Sequence, residues 1–427
     1  IYVRHTERQV APVTPSRESW VIVGRRGGKS RIAALVAVFL ACLRDYSGVL
    51  APGERGVVMV IAADRLQARV VLRYIVGLID DVPELRALVV NRRKESLDLC
   101  TGVVIEVHTA SYRTVRGYTV LAAVLDEVAF WRSEDSASPD KEVLDALRPG
   151  MATVPGAVLL AISTPYARRG EVWNAYERWR GREEPGTPLV WQADTASMNP
   201  AVDPFVIESA YAEDPVAAAA EYGAQFRSDV EAFLSKEAVD DVVVAGRREL
   251  APGYSRSYMA FTDPSGGSQD SFTLAIAHRE GNRAVLDALR EVRPPFSPDS
   301  VVKDFAELLR SYGIDTVTGD HYGGEWPRER FRAHGINYWL APEPKSAIYR
   351  AFLPAVNSGR VELLEHPRLR AQLLGLERRV ARSGSDSIDH PPGAHDDLAN
   401  AAAGVLGLIL KRPPEPPPRY GIVRHTV

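Results

Sequence analysis

Cysteine is nearly absent: Cys42 and Cys100 are the only two in 427 residues. That is too few for a disulfide framework, and the pair lacks the spacing of a zinc site. A reducing cytoplasm fits the scarcity. Long apolar runs are also missing; the longest, Ile32 to Leu43, stops at Arg44-Asp45, short of the roughly 20 residues of a membrane span. No basic, apolar and small-residue leader is visible, so no secretory signal is expected. No internal period of roughly 20–50 residues marks a repeat protein. A basic excess is absent too. The 52 Lys+Arg stand against 55 Asp+Glu, a net charge of −3, whereas a nucleic-acid-binding domain is usually basic. What is present is ordinary: hydrophobic residues at 45% and charged residues at 25% exclude a disordered or collagen-like chain. The length allows about two to three domains.

The chain changes character twice. From Trp20 to about Ile162, short β-branched runs alternate with helical patterns: Val21–Val23, Val57–Ala62, Val103–His108, Val120–Leu125 and Ala157–Ile162. Such runs, hardly alternating, suit strands buried on both faces of a parallel sheet. Helical stretches between them, such as Ser30–Leu43 and Arg65–Leu78, supply crossovers. From about Gly181 to Tyr254 the strand pattern stops, and proline, acidic residues and an alanine-rich helix over Asp214–Gln225 predict a small helical subdomain with a linker. Strands resume at Tyr258–Thr262, Ser271–His278 and Asn282–Leu289, an antiparallel meander. Helix, strand (Ile314–Thr318), helix, short strand (Asn337–Leu340) and two more helices follow. The expectation is α/β throughout: a P-loop domain over 1–182, a lid and linker over 183–254, a mixed-sheet domain over 255–411 and a proline-rich tail over 412–427.

The first candidate site is Val23-Gly24-Arg25-Arg26-Gly27-Gly28-Lys29-Ser30, a strand running through a glycine loop into a helix. Glycines let backbone N–H groups surround phosphate oxygens, and the helix N-terminus adds its dipole. Lys29 would reach the β- and γ-phosphates and the Ser30 hydroxyl would ligate magnesium. The loop departs from the usual Gly-x-x-x-x-Gly-Lys-Ser form, because Val23 stands where the first glycine is expected and Gly24 follows. A second strand ends in Asp126-Glu127: Asp126 to hold magnesium, Glu127 to polarise the attacking water. A third ends in Ser163-Thr164-Pro165, with hydroxyls placed to sense the γ-phosphate. Three strand ends of the right chemistry, in order, predict ATP hydrolysis with Mg2+. A cation on the developing charge is also needed; Arg25, Arg26, Arg113 and Arg116 are the candidates, in cis or in trans. Gln67 is expected to be a helix-surface residue.

The second candidate site is a set of scattered carboxylates. Strand Tyr258–Thr262 ends in Asp263, strand Ile314–Thr318 ends in Gly319-Asp320-His321, and Gly393-Ala394-His395-Asp396-Asp397 opens the apolar helix Leu398–Leu410. Singly, each acid is an ordinary turn or cap residue. Together they form an RNase H-like arrangement that would hold two divalent ions, Mg2+ or Mn2+, about 4 Å apart around a phosphodiester. His321 and His395 adjoin the acids. Lys345, at a helix start, could neutralise a phosphate but is expected as an exposed lysine, and Asp270 and Asp287 are expected as loop and strand-surface acids. Arginines gather in three stretches: Arg168, Arg169, Arg178, Arg180 and Arg182 among Tyr166, Trp173, Tyr176 and Trp179; Arg368, Arg370, Arg378, Arg379 and Arg382; and Arg328, Arg330 and Arg332. Such stripes can track phosphates, or form solvated faces with acidic partners.

On these residues the chain resembles the large terminase subunit of tailed bacteriophages. The resemblance rests on Gly24 to Ser30, Asp126-Glu127, Ser163-Thr164-Pro165, and Asp263, Asp320 and His395-Asp396-Asp397, and it spans nearly the whole chain. It implies a RecA-like ATPase with a small lid, then an RNase H-like nuclease, packaging double-stranded DNA into a procapsid and cutting it. It implies a homo-oligomeric ring on the portal protein, a monomer being an alternative state of the isolated subunit. A small terminase subunit would choose the DNA, no membrane would be involved, and the setting would be the bacterial host cytoplasm. Ser163-Thr164 would couple hydrolysis to movement, Gln9 is the candidate adenine contact, and the third metal ligand is Asp396 or Asp397. Two other readings compete. A superfamily 2-type helicase with a nuclease needs a second RecA-like domain, which the helical stretch and meander after Pro165 disfavour. A non-catalytic nucleotide-binding DNA clamp is disfavoured by Lys29, Asp126 and Glu127.

Overall fold

The computed structural model describes residues 1–412 apart from 134–135, 137, 255, 269, 321–324 and 381–385. His321, Arg382 and the tail 413–427 therefore lie outside the described residues. The chain divides into two compact units, Ile1–Glu231 and Ala232–Val427.

The first unit is built on an eight-stranded sheet. Its strands are β1 (Glu18–Val23), β2 (Gly56–Ala62), β3 (Val89–Arg92), β4 (Ser96–Leu99), β5 (Val103–Thr109), β6 (Thr119–Asp126), β7 (Val158–Ser163) and β8 (Leu189–Ala193), in the order β3-β4-β5-β2-β6-β7-β1-β8. From β5 to β8 every neighbouring pair is parallel, while β3 and β4 fold back as an antiparallel edge. All five strands expected from the sequence are present. Their unbroken apolar runs follow from coverage on both faces: β2 is buried from end to end, with separate cores on each side. The β3–β4 hairpin was not legible because its segments are short, and β3 is largely exposed.

The second unit carries a mixed sheet. After β9 (Val230–Ala232) and β10 (Val243–Val244) come β11 (Tyr258–Asp263), β12 (Phe272–Glu280), β13 (Arg283–Val292), β14 (Thr316–Gly319), β15 (Asn337–Leu340) and β16 (Val361–Leu364). The order is β10-β16-β13-β12-β11-β14-β15. The expected meander is there, β11/β12 and β12/β13 being antiparallel, and β14 and β15 then add in parallel beyond β11. The helix Asp397–Lys411 lies across the meander. Its Ala401-Ala402-Ala403-Gly404 stretch is buried, and small side chains let it approach closely: a Cβ at Gly404 would sit 2.5 Å from the Phe261 ring.

The fold class thus stands as expected, a parallel-dominated α/β unit followed by a mixed-sheet unit. The stretch 183–254 is more divided than expected. It contributes β8 to the first sheet, and the division between the units falls within it, inside β9. Proline and acidic residues flanking β8 hid a strand that joins the edge of the sheet. The alanine-rich helix is Pro215–Glu221, capped by Asp214. Asp287 is also not the surface acid expected. It is fully buried in β13 and pairs with His278 Nδ1 at 2.7 Å, beside an irregularity in the β12/β13 register.

Candidate functional site

In the first unit, β7 lies between β1 and β6, with Ile22 opposite Ser163 and Asp126 opposite Ile162. The glycine loop, Ser163-Thr164 and Asp126-Glu127 therefore leave the sheet at one level, at the carboxyl ends of parallel strands, where ligands of open α/β sheets bind. The loop feeds the helix Lys29–Cys42 through Gly28, whose φ of 84° favours glycine. Gly24 is required by close approach, since a Cβ there would strike Thr195 and come within 2.5 Å of the Tyr222 carbonyl.

Residues the sequence did not single out hold the loop from behind. The Thr195 hydroxyl donates to the Arg25 carbonyl at 2.8 Å, and the Asn199 amide to the Arg26 carbonyl at 2.8 Å. Both residues follow β8, so missing that strand hid them. Arg25 is exposed and pairs with Glu221 at 3.1 Å. Arg26 is exposed with a φ of 63°. Ser30 opens the helix, half-buried.

Lys29 is buried, and its ammonium donates to the Val23 carbonyl at 3.0 Å and the Thr164 hydroxyl at 2.8 Å. It also pairs with Glu127 Oε1 at 3.3 Å. Glu127, itself at a φ of 51°, accepts the Thr164 N–H at 2.8 Å through Oε2. Four of the predicted residues, Lys29, Glu127, Ser163 and Thr164, are thus one hydrogen-bonded group. Asp126 is buried beside them. Desolvation, helped by the Glu127 charge, pushes its carboxyl up to about 7. Its Oδ1 is buried with no hydrogen-bond partner. A buried orphan carboxylate oxygen of raised pKa is a hard-cation ligand by chemistry, so the donor set fits magnesium. Arg113 and Arg116 are exposed and face the Tyr112 ring at 5.5 and 5.4 Å. Gln67 opens the helix Arg65–Asp81, where Asp64 caps its N–H. Gln9 is exposed, its N–H donating to Glu183.

In the second unit, β11 and β14 are parallel neighbours with Thr262 opposite Gly319, so Asp263 and Asp320 emerge side by side. The Asp320 N–H donates to the Thr262 carbonyl at 3.3 Å. From the helix Asp397–Lys411, the fully buried Asn400 donates one amide nitrogen to both acids, to Asp263 Oδ2 at 2.8 Å and Asp320 Oδ2 at 3.2 Å. Asn400 Oδ1 has no hydrogen-bond partner. Asn400 was absent from the sequence prediction; a lone amide within an apolar helix, one turn after two acids, was the available signal.

The two acids at the helix start part company. Asp397 faces the site: its carboxylate accepts the Ser271 N–H at 3.3 Å, and burial with the Asp396 charge raises it to about 6. Asp263 is raised too, by burial first and then by the charges of Asp397, Asp320 and Asp396. Asp396 is held elsewhere, by the Tyr349 hydroxyl at 2.8 Å and the Lys345 ammonium at 3.2 Å. Lys345 also donates to Asp389 at 2.7 Å. It is half-buried, not the free helix-start lysine expected. Asp389, His390 and Asp396 bring ligand atoms within 4.8 Å of one another, but Lys345 supplies that group with its cation. Asp263 and Asp320, joined through the Asn400 amide, and Asp397 beside them offer hard carboxylate oxygens and fit divalent cations by the chemistry of the donor set. His395 lies 3.3 Å from Asp270.

The described arginines of the second stretch, Arg368, Arg370, Arg378 and Arg379, each pair with an acid. Arg368 is 6% exposed and pairs with the half-buried Glu291 at 2.8 Å; Arg370 pairs with Asp240 and Arg378 with Asp386. In the first stretch, Arg168, Arg178 and Arg180 lie over Trp173, Trp179 and Tyr176, and Arg180 pairs with Glu7. No described helix is long and apolar enough to cross a membrane.

No family model matches the chain, and no curated protein matches it in sequence. Similarity is found among solved structures. The large terminase of bacteriophage HK97 is 16% identical, with 92% of this chain and 91% of that one covered, at a TM-score of 0.41. The large terminase nuclease of thermophilic phage G20c is 17% identical, with 39% and 94% covered, at a TM-score of 0.36. A form of that nuclease with bound magnesium gives 18% identity, 40% and 94% coverage, and a TM-score of 0.35.

Proposed function

We propose that this chain is a large terminase subunit, an ATP-driven motor that moves double-stranded DNA into a procapsid and cuts it with a metal-dependent endonuclease. The observation that carries the reading is that one chain gathers two sets of phosphate-handling groups, one at the carboxyl ends of parallel strands and one where two strand ends meet a helix start. One set is Lys29, Asp126, Glu127 and Thr164; the other is Asp263, Asp320 and Asp397 around Asn400.

In the ATPase reading, Gly24, Gly27, Gly28 and Ser30 cradle the phosphates, and Ser30 and Asp126 hold Mg2+, which supplies charge neutralisation on phosphate oxygens. Lys29 has a fixed number of donors. As it turns to the γ-phosphate, its contacts to Thr164 and Glu127 are surrendered. Glu127 is then released to orient water, and the end of β7 feels the exchange. Ser163-Thr164 is in this way the coupling element, and Arg25 or Arg26 a source of positive charge. In the nuclease reading, Asp263, Asp320 and Asp397 hold two Mg2+ or Mn2+ ions, whose chemistry is to stabilise the attacking and leaving oxygens. Asn400 sets the spacing of the first two acids. Asp396 orients the helix start through Lys345 and Tyr349. The partners that follow are the portal protein, a small terminase subunit and further copies of this chain in a ring, in the host cytoplasm.

ATP turnover and plasmid cutting test the reading separately. Glu127→Gln is expected to lower ATP turnover about 10²- to 10⁴-fold, the usual worth of a general base, with metal-dependent cutting retained. Asp320→Asn is expected to abolish cutting and leave turnover intact. No turnover by the unaltered chain would favour the clamp, and equal cutting by Asp320→Asn would remove the nuclease assignment.

A further inference from the structure

Beside the candidate nuclease site, β15 forms one end of the second sheet and carries an exposed tryptophan. Trp339 is 66% exposed and its neighbour Leu340 38%. The strand register fixes which way Trp339 points. Phe261 on β11 is opposite Thr318 on β14, and Thr318 is opposite Trp339. Opposed residues share a sheet face, and residues two apart on a strand do as well. Trp339 therefore stands on the face that bears Phe261 and Asp263, two strand spacings or about 10 Å across. The same strand reaches the site directly, the Tyr338 hydroxyl donating to the Asp320 carbonyl at 2.8 Å.

A groove of about 340 Å³ follows this edge, lined by Arg328, Arg332, Asn337, Tyr338, Trp339 and Leu340. Both arginines come from the helix Trp326–Ala333. Arg332 is exposed, and Arg328 pairs with the exposed Glu325 at 2.9 Å. No acid is among the described residues that line the groove. It therefore offers an aromatic face, positive charge and one amide, the combination that takes nucleic acid by stacking and phosphate contact. A base within a duplex has both faces covered by its neighbours, whereas an unpaired base has a face to offer Trp339.

Building on the nuclease reading, we propose that Trp339, with Arg328 and Arg332, is a stacking site for an unpaired nucleotide of the DNA strand held at Asp263 and Asp320. It steadies a frayed or locally opened strand next to the phosphodiester to be cut.

Fluorescence anisotropy with the full chain in EDTA tests this, using a labelled single strand and a duplex of the same sequence. Trp339→Ala is expected to weaken single-strand binding about 5- to 150-fold, the range found for loss of a base–aromatic stack, and to leave duplex binding unchanged. Trp339→Phe should retain most of the single-strand affinity, because it keeps the ring. Trp339 is exposed, so both variants should melt with the unaltered chain. Single-strand binding by Trp339→Ala equal to that of the unaltered chain would overturn the proposal and leave this edge to a protein partner. An equal loss on duplex would overturn it too, as a general DNA contact. The nuclease reading fails by a different result, cutting by Asp320→Asn; single-strand affinity of that variant remains measurable in EDTA.

Discussion

Glu291 shows how a single residue ties the candidate site to the core. Burial opposes its charge, but the Arg368 guanidinium and the Ser271 hydroxyl outweigh that and hold its carboxyl below the ordinary value. Ser271 is the residue whose N–H reaches Asp397, so the ion pair braces one of the candidate metal ligands. Losing one partner of a buried pair costs up to about 3–5 kcal/mol, and here the Arg293 contact to Glu291 at 3.7 Å and the Ser271 hydroxyl remain to moderate it. Arg368→Leu should therefore destabilise the second unit at neutral pH, by less than about 3–5 kcal/mol. The pH dependence has a definite sign. A depressed carboxyl contributes stability that is full above its unfolded pKa of about 4.3 and is lost as pH falls through the folded value. The gap between the unaltered chain and Arg368→Leu should narrow in acid, and urea unfolding at pH 7 and pH 4 measures it; a gap of constant size would contradict the pairing. This arginine also marks where sequence reading stops. Phosphate-tracking and acid-paired arginines share one composition, and only the fold brings Glu291 beneath Arg368. Lys29, Glu127 and Thr164 were legible because each follows directly from a strand end; Asn400 and Thr195 act across long stretches of sequence.

Among the elements, the helix Asp397–Lys411 does most to assemble the second site. Its first turn supplies Asp397, its second supplies Asn400, and its seating on β11 is set by Gly404 against Phe261. A methyl group there meets a ring that is itself 1% exposed, with little room to yield. Gly404→Ala is expected to lift the helix and lengthen the Asn400 contacts to Asp263 and Asp320. Overpacking of this kind costs about 1–3 kcal/mol, against a gain of about 1 kcal/mol in helix propensity. Cutting should fall more than stability does. Parallel plasmid and melting assays decide it, and unaltered cutting by Gly404→Ala would show that helix seating does not set the site. The apolar pattern revealed this helix and the meander beneath it. Short polar strands such as β3 and β4, and β8 among its prolines and acids, gave no comparable period, because their place is set by neighbours in the sheet.

For the whole molecule, the near balance of 52 basic and 55 acidic residues conceals a division into two self-contained units. The cores of the first unit are drawn from Trp20 to Phe226, and those of the second from Phe233 to Leu410. A unit with its own core is expected to fold alone. The residues of each candidate site also fall within one unit: Lys29, Asp126, Glu127 and Thr164 in the first, Asp263, Asp320, Asp397 and Asn400 in the second. A fragment starting at Val230 keeps β9 whole and retains every residue of the carboxylate site. It should be monomeric or self-associated but folded, with a cooperative melt, and should cut plasmid with Mn2+ or Mg2+ without ATP. Asp320→Asn in the fragment should abolish that cutting. The complementary fragment ending at Asp229 should turn over ATP in a Glu127-dependent way. If the second fragment melts cooperatively and cuts only when the first is added back, the site in the second unit is incomplete by itself. The assignment of its chemistry to Asp263, Asp320 and Asp397 alone would then be wrong.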